Sequence, residues 1–176
     1  WRTTGDFWDD WNDLYQAFEI CHQWEGVGGP GHWPDADMLP FGHLALRSTE
    51  RGWGDRWTHF TQDEQIALMT LWCLFRSPLM VGAELNDNDE FTLNLLTNDE
   101  VLALLSESRN ARQVYREERY NYAGEVIVWQ AENEQGETYC AVFNCGPKAR
   151  KLRPDNATRA RSPRHRPWLV SPATAA

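Results

Sequence analysis

The chain has 176 residues, of which 41% are hydrophobic; this length suits one ordinary domain with an apolar core and is too short for a complete barrel enzyme. Its 26 acidic and 17 basic residues give a net charge of -9, and eight of the basic residues follow Pro147. The body of the protein is therefore strongly acidic, which argues against a nucleic-acid partner, and no run approaches the roughly 20 apolar residues that a membrane span requires.

The first part of the chain carries helical patterns separated by short apolar runs. From Phe7 to Trp24, large apolar residues recur three and four positions apart behind an acidic first turn, which predicts a helix. A loop rich in glycine and proline follows over residues 25–34, and residues 36–39 then predict a short strand.

The next helix has a clear start and an apolar surface. Thr61 to Glu64 have the sequence of a capping box, and the residues up to Phe75 are apolar nearly all round, so this helix should lie between two layers. Pro78 ends it. Residues 79–81 form a continuous apolar run, which is typical of a parallel strand covered on both faces.

A further helix, or a pair of helices, is predicted over roughly residues 89–105, and residues 97–100 supply a second capping box. Strands that alternate with helices at these spacings favour βα units on a parallel sheet. Residues 1–107 are therefore assigned to the α/β fold class.

The pattern changes after about residue 108. Residues 113–119, 125–131 and 138–144 alternate apolar and polar side chains, which predicts a separate, antiparallel β region over residues 108–147 with a turn at 133–136. Three strands are fewer than a stable sandwich usually has, so this region is interpreted as incomplete. The basic tail, residues 148–176, lacks an apolar period and is predicted to be disordered and solvated rather than to bind nucleic acid.

The cysteines and histidines do not indicate a disulfide framework or a metal site. None of the four cysteines forms a C-x-x-C pair, so buried free thiols are expected. Cys140 and Cys145 lie five positions apart on one predicted strand and should point to opposite faces. The histidines lack the spacing of metal ligands, so we expect no metal.

Two acidic segments qualify for chemistry, because parallel βα proteins bind ligands at the carboxyl ends of their strands. One segment ends at Asp6, and the other contains Asp35 and Asp37. A carboxylic acid inside a closed apolar cleft keeps its proton near neutral pH, which glycoside hydrolysis requires of its acid. Arg2 could hold substrate hydroxyls with its fork of donors.

Each of these residues also has a structural interpretation. Asp6 could cap the helix that follows it, and Asp35 and Asp37 could satisfy backbone amides in a turn. The ten tryptophans could fill the core or act as platforms for the apolar faces of sugars. Spacing alone leaves these alternatives open.

Three motifs, in the same order, resemble the second half of the family 27 glycoside hydrolases, the α-galactosidase or melibiase group. The first is Arg2-x-x-x-Asp6 followed by FWDDW, the second is GPGHWPDADML at residues 29–39, and the third is SPLMVG at residues 77–82. The resemblance covers about residues 1–145 and fails in the tail.

This resemblance implies an (β/α)8 TIM barrel, represented over residues 1–107 by its last strands and helices, followed by an antiparallel β-sandwich domain. It implies no cofactor. Asp6 would be the general acid/base of a retaining mechanism, and Arg2 would bind the 2-hydroxyl of the sugar. Asp37 and Met38 would line the sugar pocket, and Trp33 would lie in the loop that shapes it.

The attacking carboxylate of the family lies in a Lys-x-Asp-x-Cys-type segment, which this chain lacks. The sequence therefore predicts a retaining hydrolase of terminal α-linked galactose, present as a C-terminal fragment without its nucleophile and inactive by itself. Its partner would be a carbohydrate substrate, with no nucleic acid and no membrane. The sequence does not indicate an oligomeric state. It does not indicate a compartment either, so secretion and a periplasmic location both stay open.

Two alternatives remain. The first is a non-catalytic carbohydrate-binding protein that uses the tryptophans as platforms. The second is a hydrolase of the same family for α-N-acetylgalactosamine, β-L-arabinopyranose or isomaltose units. Many family members have Asn and Pro where this chain has Pro34 and Ala36, which leaves the sugar preference open.

Overall fold

The structure is a computed structural model, and it describes residues 1–48, 54–117 and 125–149 together with the backbone of residues 167–170. The helices in these ranges are α1 (Trp11–Gln23), α2 (Gln62–Phe75), α3 (Glu90–Leu96) and α4 (Asp99–Glu107). The strands are β1 (His43–Leu44), β2 (Arg56–Trp57), β3 (Arg109–Arg116), β4 (Val126–Glu132), β5 (Thr138–Asn144) and β6 (Pro167–Val170).

The predicted first helix is present, but it starts four residues later than Phe7. Asp10 is the N-cap of α1, and its carboxylate accepts a hydrogen bond from the Asn12 N–H at 2.8 Å. Phe7 instead lies before the helix, where its ring centroid is 5.0 Å from that of Trp72 and 6.1 Å from that of Phe60. Phe7 is buried in the core, so the helix does not extend back to it even though the apolar spacing includes it.

The predicted capping box and the buried character of α2 are both confirmed. Thr61 and Glu64 exchange side-chain to backbone hydrogen bonds, at 3.3 Å and 2.8 Å. Ten residues of α2 are buried, and the helix contacts α1 on one side and α4 and the larger sheet on others. The helix ends at Arg76, whose backbone is left-handed with φ 61°.

The second predicted helical region is a pair of helices, but its capping box is wrong. Asn98 is the N-cap of α4, and its side chain accepts hydrogen bonds from the N–H groups of Glu100 and Val101, both at 3.1 Å. The Thr97 hydroxyl instead donates to the Leu93 carbonyl at 2.7 Å and closes α3. Asparagine is as good an N-cap as threonine, so the cap moves by one residue.

Parallel pairing occurs in the first part of the chain as isolated bridges. Arg2 pairs with Asp35, and Leu39 pairs with Val81. Around the second bridge, the Leu39 N–H donates to the Met80 carbonyl at 2.7 Å. The prediction that residues 79–81 are covered on both faces is wrong, because Met80 is 60% exposed. No closed barrel is present within the described ranges.

The larger sheet has the order β3-β4-β5-β6. Strands β3 to β5 form the predicted antiparallel meander, although β3 already begins at Arg109 and has two register shifts against β4. The predicted turn between β4 and β5 is confirmed, since the Asn133 side chain accepts hydrogen bonds from the N–H groups of Gln135 and Glu137 at 3.1 Å and 2.8 Å.

The tail contains an element that the sequence did not predict. Residues 167–170, in the predicted disordered tail, form β6, which pairs with β5 in parallel. Four apolar residues are too few to show a period, which explains the miss. The remainder of the tail prediction, residues 150–166 and 171–176, lies outside the described residues.

A continuous apolar core joins the helices to the sheet. Trp72 of α2 and Trp129 of β4 are both fully buried in one cluster. The ring of Phe18 on α1 meets that of Phe143 on β5 edge to face, with centroids 4.8 Å apart. The inner face of the sheet therefore packs on the same core as the helices.

The cysteines agree with the sequence analysis. All four are free and buried, and burial raises the pKa of both Cys73 and Cys145 to about 12. No helix in the described ranges is both long and apolar enough to span a bilayer.

A polar cluster also fastens α1 to the sheet. The Tyr15 hydroxyl donates to the Glu125 carboxylate, which Arg116 binds through Nε at 3.1 Å and Nη2 at 3.2 Å. Arg116 Nη1 also reaches Glu19 on α1 at 3.1 Å. Burial and the hydrogen bond to Glu125 raise the pKa of Tyr15. The Glu125 side chain is 9% exposed, so this carboxylate depends on its partners.

We expect Glu125→Gln to lower the free energy of unfolding by about 2 kcal/mol, because it leaves a partly buried arginine without its main counter-charge. Urea denaturation measures this loss. The control is Glu134→Gln, which removes an ion pair to Arg109 whose side chains are 59% and 63% exposed, and it should cost less than about 0.5 kcal/mol. Equal losses in the two variants would contradict the assignment.

Candidate active site

A single guanidinium joins the two acidic segments. Arg2 Nη1 lies 3.0 Å from Asp6 Oδ1, and Arg2 Nη2 lies 2.7 Å from Asp37 Oδ2. Arg2 also donates to the Gly5 carbonyl. The structure thus brings together three of the five predicted site residues, where the segments at Arg2 and Asp35 run side by side.

Asp37 is held rigidly by its surroundings. Its backbone has a positive φ of 78°, which is unusual for a residue other than glycine and often marks a functional site. Its Oδ2 accepts a hydrogen bond from the Phe7 N–H at 2.7 Å, and its carbonyl accepts one from Trp72 Nε1 at 2.9 Å. The side chain is 16% exposed, so its direction is fixed by these contacts.

Asp35 has the turn role that the sequence left open. Its Oδ1 accepts a hydrogen bond from the Asp37 N–H at 2.8 Å. Its backbone N–H donates to the Trp1 carbonyl at 2.8 Å, and its carbonyl accepts from the Thr3 N–H at 2.9 Å. Asp35 therefore builds the turn that presents Asp37.

Asp6 does not cap α1, because Asp10 does. Its side chain is 73% exposed and pairs with Arg2, and it borders a hollow of about 40 Å³ together with Ala36. Within the described part of the chain, Asp6 does not lie in a closed apolar cleft. The carboxyl group is held by charge and is open to a ligand.

Met38 and Trp33 lie in different places relative to this cluster. Met38 follows Asp37 and packs over Gly82, where an added Cβ would come within 2.6 Å of the Met38 Sδ. Trp33 lies at the amino end of the same segment, with the Arg76 guanidinium 4.1 Å from its ring centroid. The structure does not bring Trp33 to Asp6.

Asp9 is a residue that the sequence analysis did not recognise as important. Its side chain is 3% exposed, with Oδ1 2.6 Å from Arg56 Nη2 and Oδ2 accepting from the His59 N–H at 2.8 Å. These contacts tie β2 to the segment that carries Asp6. Its partners lie nearly fifty positions away, so no local pattern could have revealed them.

A second missed cluster links the chain after Leu39 to the chain after Val81, the two residues of the second parallel bridge. His43 Nδ1 lies 2.5 Å from Asp87 Oδ2, and His43 Nε2 contacts Asp55. Its ring stacks on Trp57 at a centroid distance of 5.1 Å. Both nitrogens face carboxylates, and the hydrogen bonds to Asp55 and then to Asp87 raise the pKa of His43. No group of three or more metal-ligating side chains is found within the described residues.

Sequence comparisons relate the chain to a group of carbohydrate-active enzymes. The family profile described as alpha galactosidase A matches residues 1–107. An alpha-galactosidase of Oryza sativa subsp. japonica is 28% identical over 156 residues, covering 83% of this chain and 34% of that protein. An alpha-galactosidase of Cyamopsis tetragonoloba is 33% identical over 104 residues, covering 59% of this chain and 22% of that protein. The chain spans about a third or less of the length of these relatives.

A solved structure is more similar. The β-L-arabinopyranosidase of glycoside hydrolase family 27 from Geobacillus stearothermophilus is 54% identical and superimposes with a TM-score of 0.75, covering 82% of this chain and 32% of that one. A variant of that enzyme was solved in complex with arabinose.

The raised pKa of His43 predicts a pH-dependent contribution to stability. The contribution is complete below the unfolded-state pKa of about 6.5 and is lost as the pH rises through the higher folded-state pKa. We expect His43→Gln to lower the free energy of unfolding more at about pH 6 than at about pH 9, measured by urea denaturation. Asp55→Asn is the matched variant and should weaken the same pH dependence. A loss independent of pH would count against the doubly bonded imidazolium.

Proposed function

The chain belongs to the alpha-galactosidase A family, glycoside hydrolase family 27, and from this premise we propose that it is part of a retaining hydrolase that releases terminal α-linked galactose. The observation that carries the proposal is the position of Arg2 between the carboxylates of Asp6 and Asp37. A site that cleaves a glycosidic bond needs an acid, a hydrogen-bond acceptor that is held in place, and a charged donor, all close together.

In this proposal Asp6 is the acid/base. Its exposed carboxyl group can reach a bound ligand. It protonates the departing glycosidic oxygen and later takes a proton from the attacking water. Arg2 has donors beyond its two ion pairs, and these can bind a sugar hydroxyl beside Asp6. Its positive charge also keeps Asp6 aligned.

Asp37 and Met38 form the wall of the sugar pocket in this proposal. Arg2 and the Phe7 N–H both contact Oδ2 of Asp37, so the remaining acceptor positions of this carboxylate can bind sugar hydroxyls. Met38, half-buried against Gly82, offers an apolar contact beside it. Trp33, whose ring lies under Arg76, is assigned in this proposal to the loop that shapes the pocket and not to the pocket wall.

We further propose that the nucleophile belongs to a part of the protein outside these 176 residues. A retaining enzyme needs a second carboxylate about 5 to 5.5 Å from the acid. Asp37 shares Arg2 with Asp6, but its oxygen is occupied by the Phe7 N–H and it is 16% exposed, which suits binding rather than attack. The limited share of each relative that the chain covers supports this view.

The same reasoning gives a proposed domain organisation. Residues 1–107 are proposed to be the last strands and helices of a (β/α)8 barrel, because the parallel bridges align the segments at Arg2, Asp35 and Val81 side by side. Residues 108–147 are proposed to be part of a β-sandwich, since β3, β4 and β5 form an antiparallel meander.

A second candidate substrate is a terminal β-L-arabinopyranoside. It is favoured by the 54% identity to the Geobacillus β-L-arabinopyranosidase, whereas the two alpha-galactosidases are 28% and 33% identical. The ratio of kcat/KM for nitrophenyl α-galactoside and nitrophenyl β-L-arabinopyranoside decides between them.

We expect Asp6→Asn in the full-length enzyme to lower kcat by about 10² to 10⁴, because the amide cannot donate or accept the proton. The control is Asp10→Asn, which keeps an N-cap acceptor on α1 and should leave kcat unchanged. Steady-state turnover of a natural galactoside with a poor leaving group measures both. Full turnover by Asp6→Asn would show that Asp6 is not the acid/base; a non-catalytic binding module would show no turnover in either form and would keep its carbohydrate binding.

The stereochemical outcome provides a separate prediction. Proton NMR during hydrolysis should first show the sugar product in the anomeric configuration of the substrate, as double displacement requires. Initial release of the opposite anomer would exclude the proposed mechanism. The isolated 176-residue chain should show no turnover of nitrophenyl α-galactoside, since it would hold one of the two catalytic carboxylates.

A further inference from the structure

A large cavity lies at the other end of the segments that present Asp37. Its volume is about 630 Å³, within the range of small-ligand sites, and Arg2, Asp6 and Asp37 are not among its lining residues. It is bounded by the loop after α1, the end of α2 and the start of β3. We propose that this cavity is a second saccharide-binding site, separate from the Arg2 cluster.

Buried polar atoms without partners line this cavity. Ser108 is fully buried, and its Oγ has no hydrogen-bond partner among the described residues. Arg76 Nε is also buried without one, although Arg76 Nη1 donates to the Ser108 carbonyl at 2.8 Å and Nη2 to the Ser106 carbonyl at 3.3 Å. Native proteins rarely leave such groups unsatisfied, so this wall of the cavity holds an unused donor and an unused hydroxyl that further polar contacts would satisfy.

The cavity also has aromatic walls. Trp24 and Trp33 both line it and are half-buried. Trp33 is fixed by the Arg76 guanidinium over its ring, and Trp24 packs against Trp1 at a centroid distance of 6.2 Å. Indole rings that are held in place and partly open provide apolar surface for the C–H faces of a sugar ring.

The charges of the lining favour a neutral ligand. Arg76 and Arg109 are accompanied by Glu25, Glu107 and Glu134. Arg109 pairs with Glu134, and Glu25 accepts from the Gln113 N–H at 2.5 Å. The set has two positive and three negative side chains, so its net charge is only -1 and it does not favour an anion such as phosphate. A neutral polyol with adjacent hydroxyl groups can both donate to and accept from the side chains of this lining.

The experiment uses the full-length protein with Asp6→Asn, so that bound sugar is not hydrolysed. Raffinose and arabinose are the probes, titrated by isothermal calorimetry and by tryptophan fluorescence. We expect two binding events with at least one of the probes. In this background Ser108→Ala and Arg109→Gln should each weaken one event at least fivefold and leave the other unchanged. Arg112→Gln is the matched control, because this exposed arginine is on the same strand but does not line the cavity.

The outcomes separate this inference from the proposed hydrolase function. Ser108→Ala and Arg109→Gln, made in the active enzyme, should leave kcat/KM for nitrophenyl α-galactoside unchanged. A single binding event with both probes, or two events that neither variant weakens beyond Arg112→Gln, means a hydrated cavity only and overturns the proposal. Thermal unfolding of each variant checks its fold; if Ser108→Ala is destabilised, the exposed Arg109→Gln decides.

Discussion

The Arg2 guanidinium is the contact on which the rest of the candidate site depends. It lies at the junction of two chain segments that meet through one parallel bridge, and it balances a carboxylate from each. Without it, the fold would bring the carboxylates of Asp6 and Asp37 together with no cation between them. The arginine therefore aligns the carboxylates and also makes their proximity tolerable.

This polar contact is connected directly to the apolar core. Trp72 is fully buried in α2, yet its indole N–H donates to the carbonyl of Asp37. Ser77, also fully buried just beyond α2, accepts the Ala36 N–H with its hydroxyl at 2.9 Å. The backbone on both sides of the turn is thus tied to the packed helix. Core packing of α2 consequently sets the geometry in which Asp37 meets Arg2.

Local signals in the sequence predicted local features well. The capping box at Thr61 needs only residues within one turn, and the turn between β4 and β5 needs only Asn133 and the residues just after it. The alternation predicted for β4 is wrong, because six of its seven residues are buried. The Arg2 and Asp6 spacing was readable because both residues belong to one short motif. Contacts between residues far apart in the chain could not be predicted from the sequence. His43 meets its carboxylates 12 and 44 positions away, and Trp33 lies under Arg76 from the following helix. No period or motif encodes these pairings.

Arg76 has a left-handed backbone at the end of α2, and its side chain lines the large cavity. Helices commonly end in this conformation with glycine, because a Cβ there is disfavoured by roughly 1 kcal/mol. Arg76 makes side-chain contacts that glycine could not, because its guanidinium stacks over the ring of Trp33 and donates to the Ser108 carbonyl. Contacts of these kinds are worth about 0.5 to 3 kcal/mol each, so glycine at the end of α2 would relax the backbone without a net gain in stability. One wall of the large cavity is thus held by a residue whose backbone is strained.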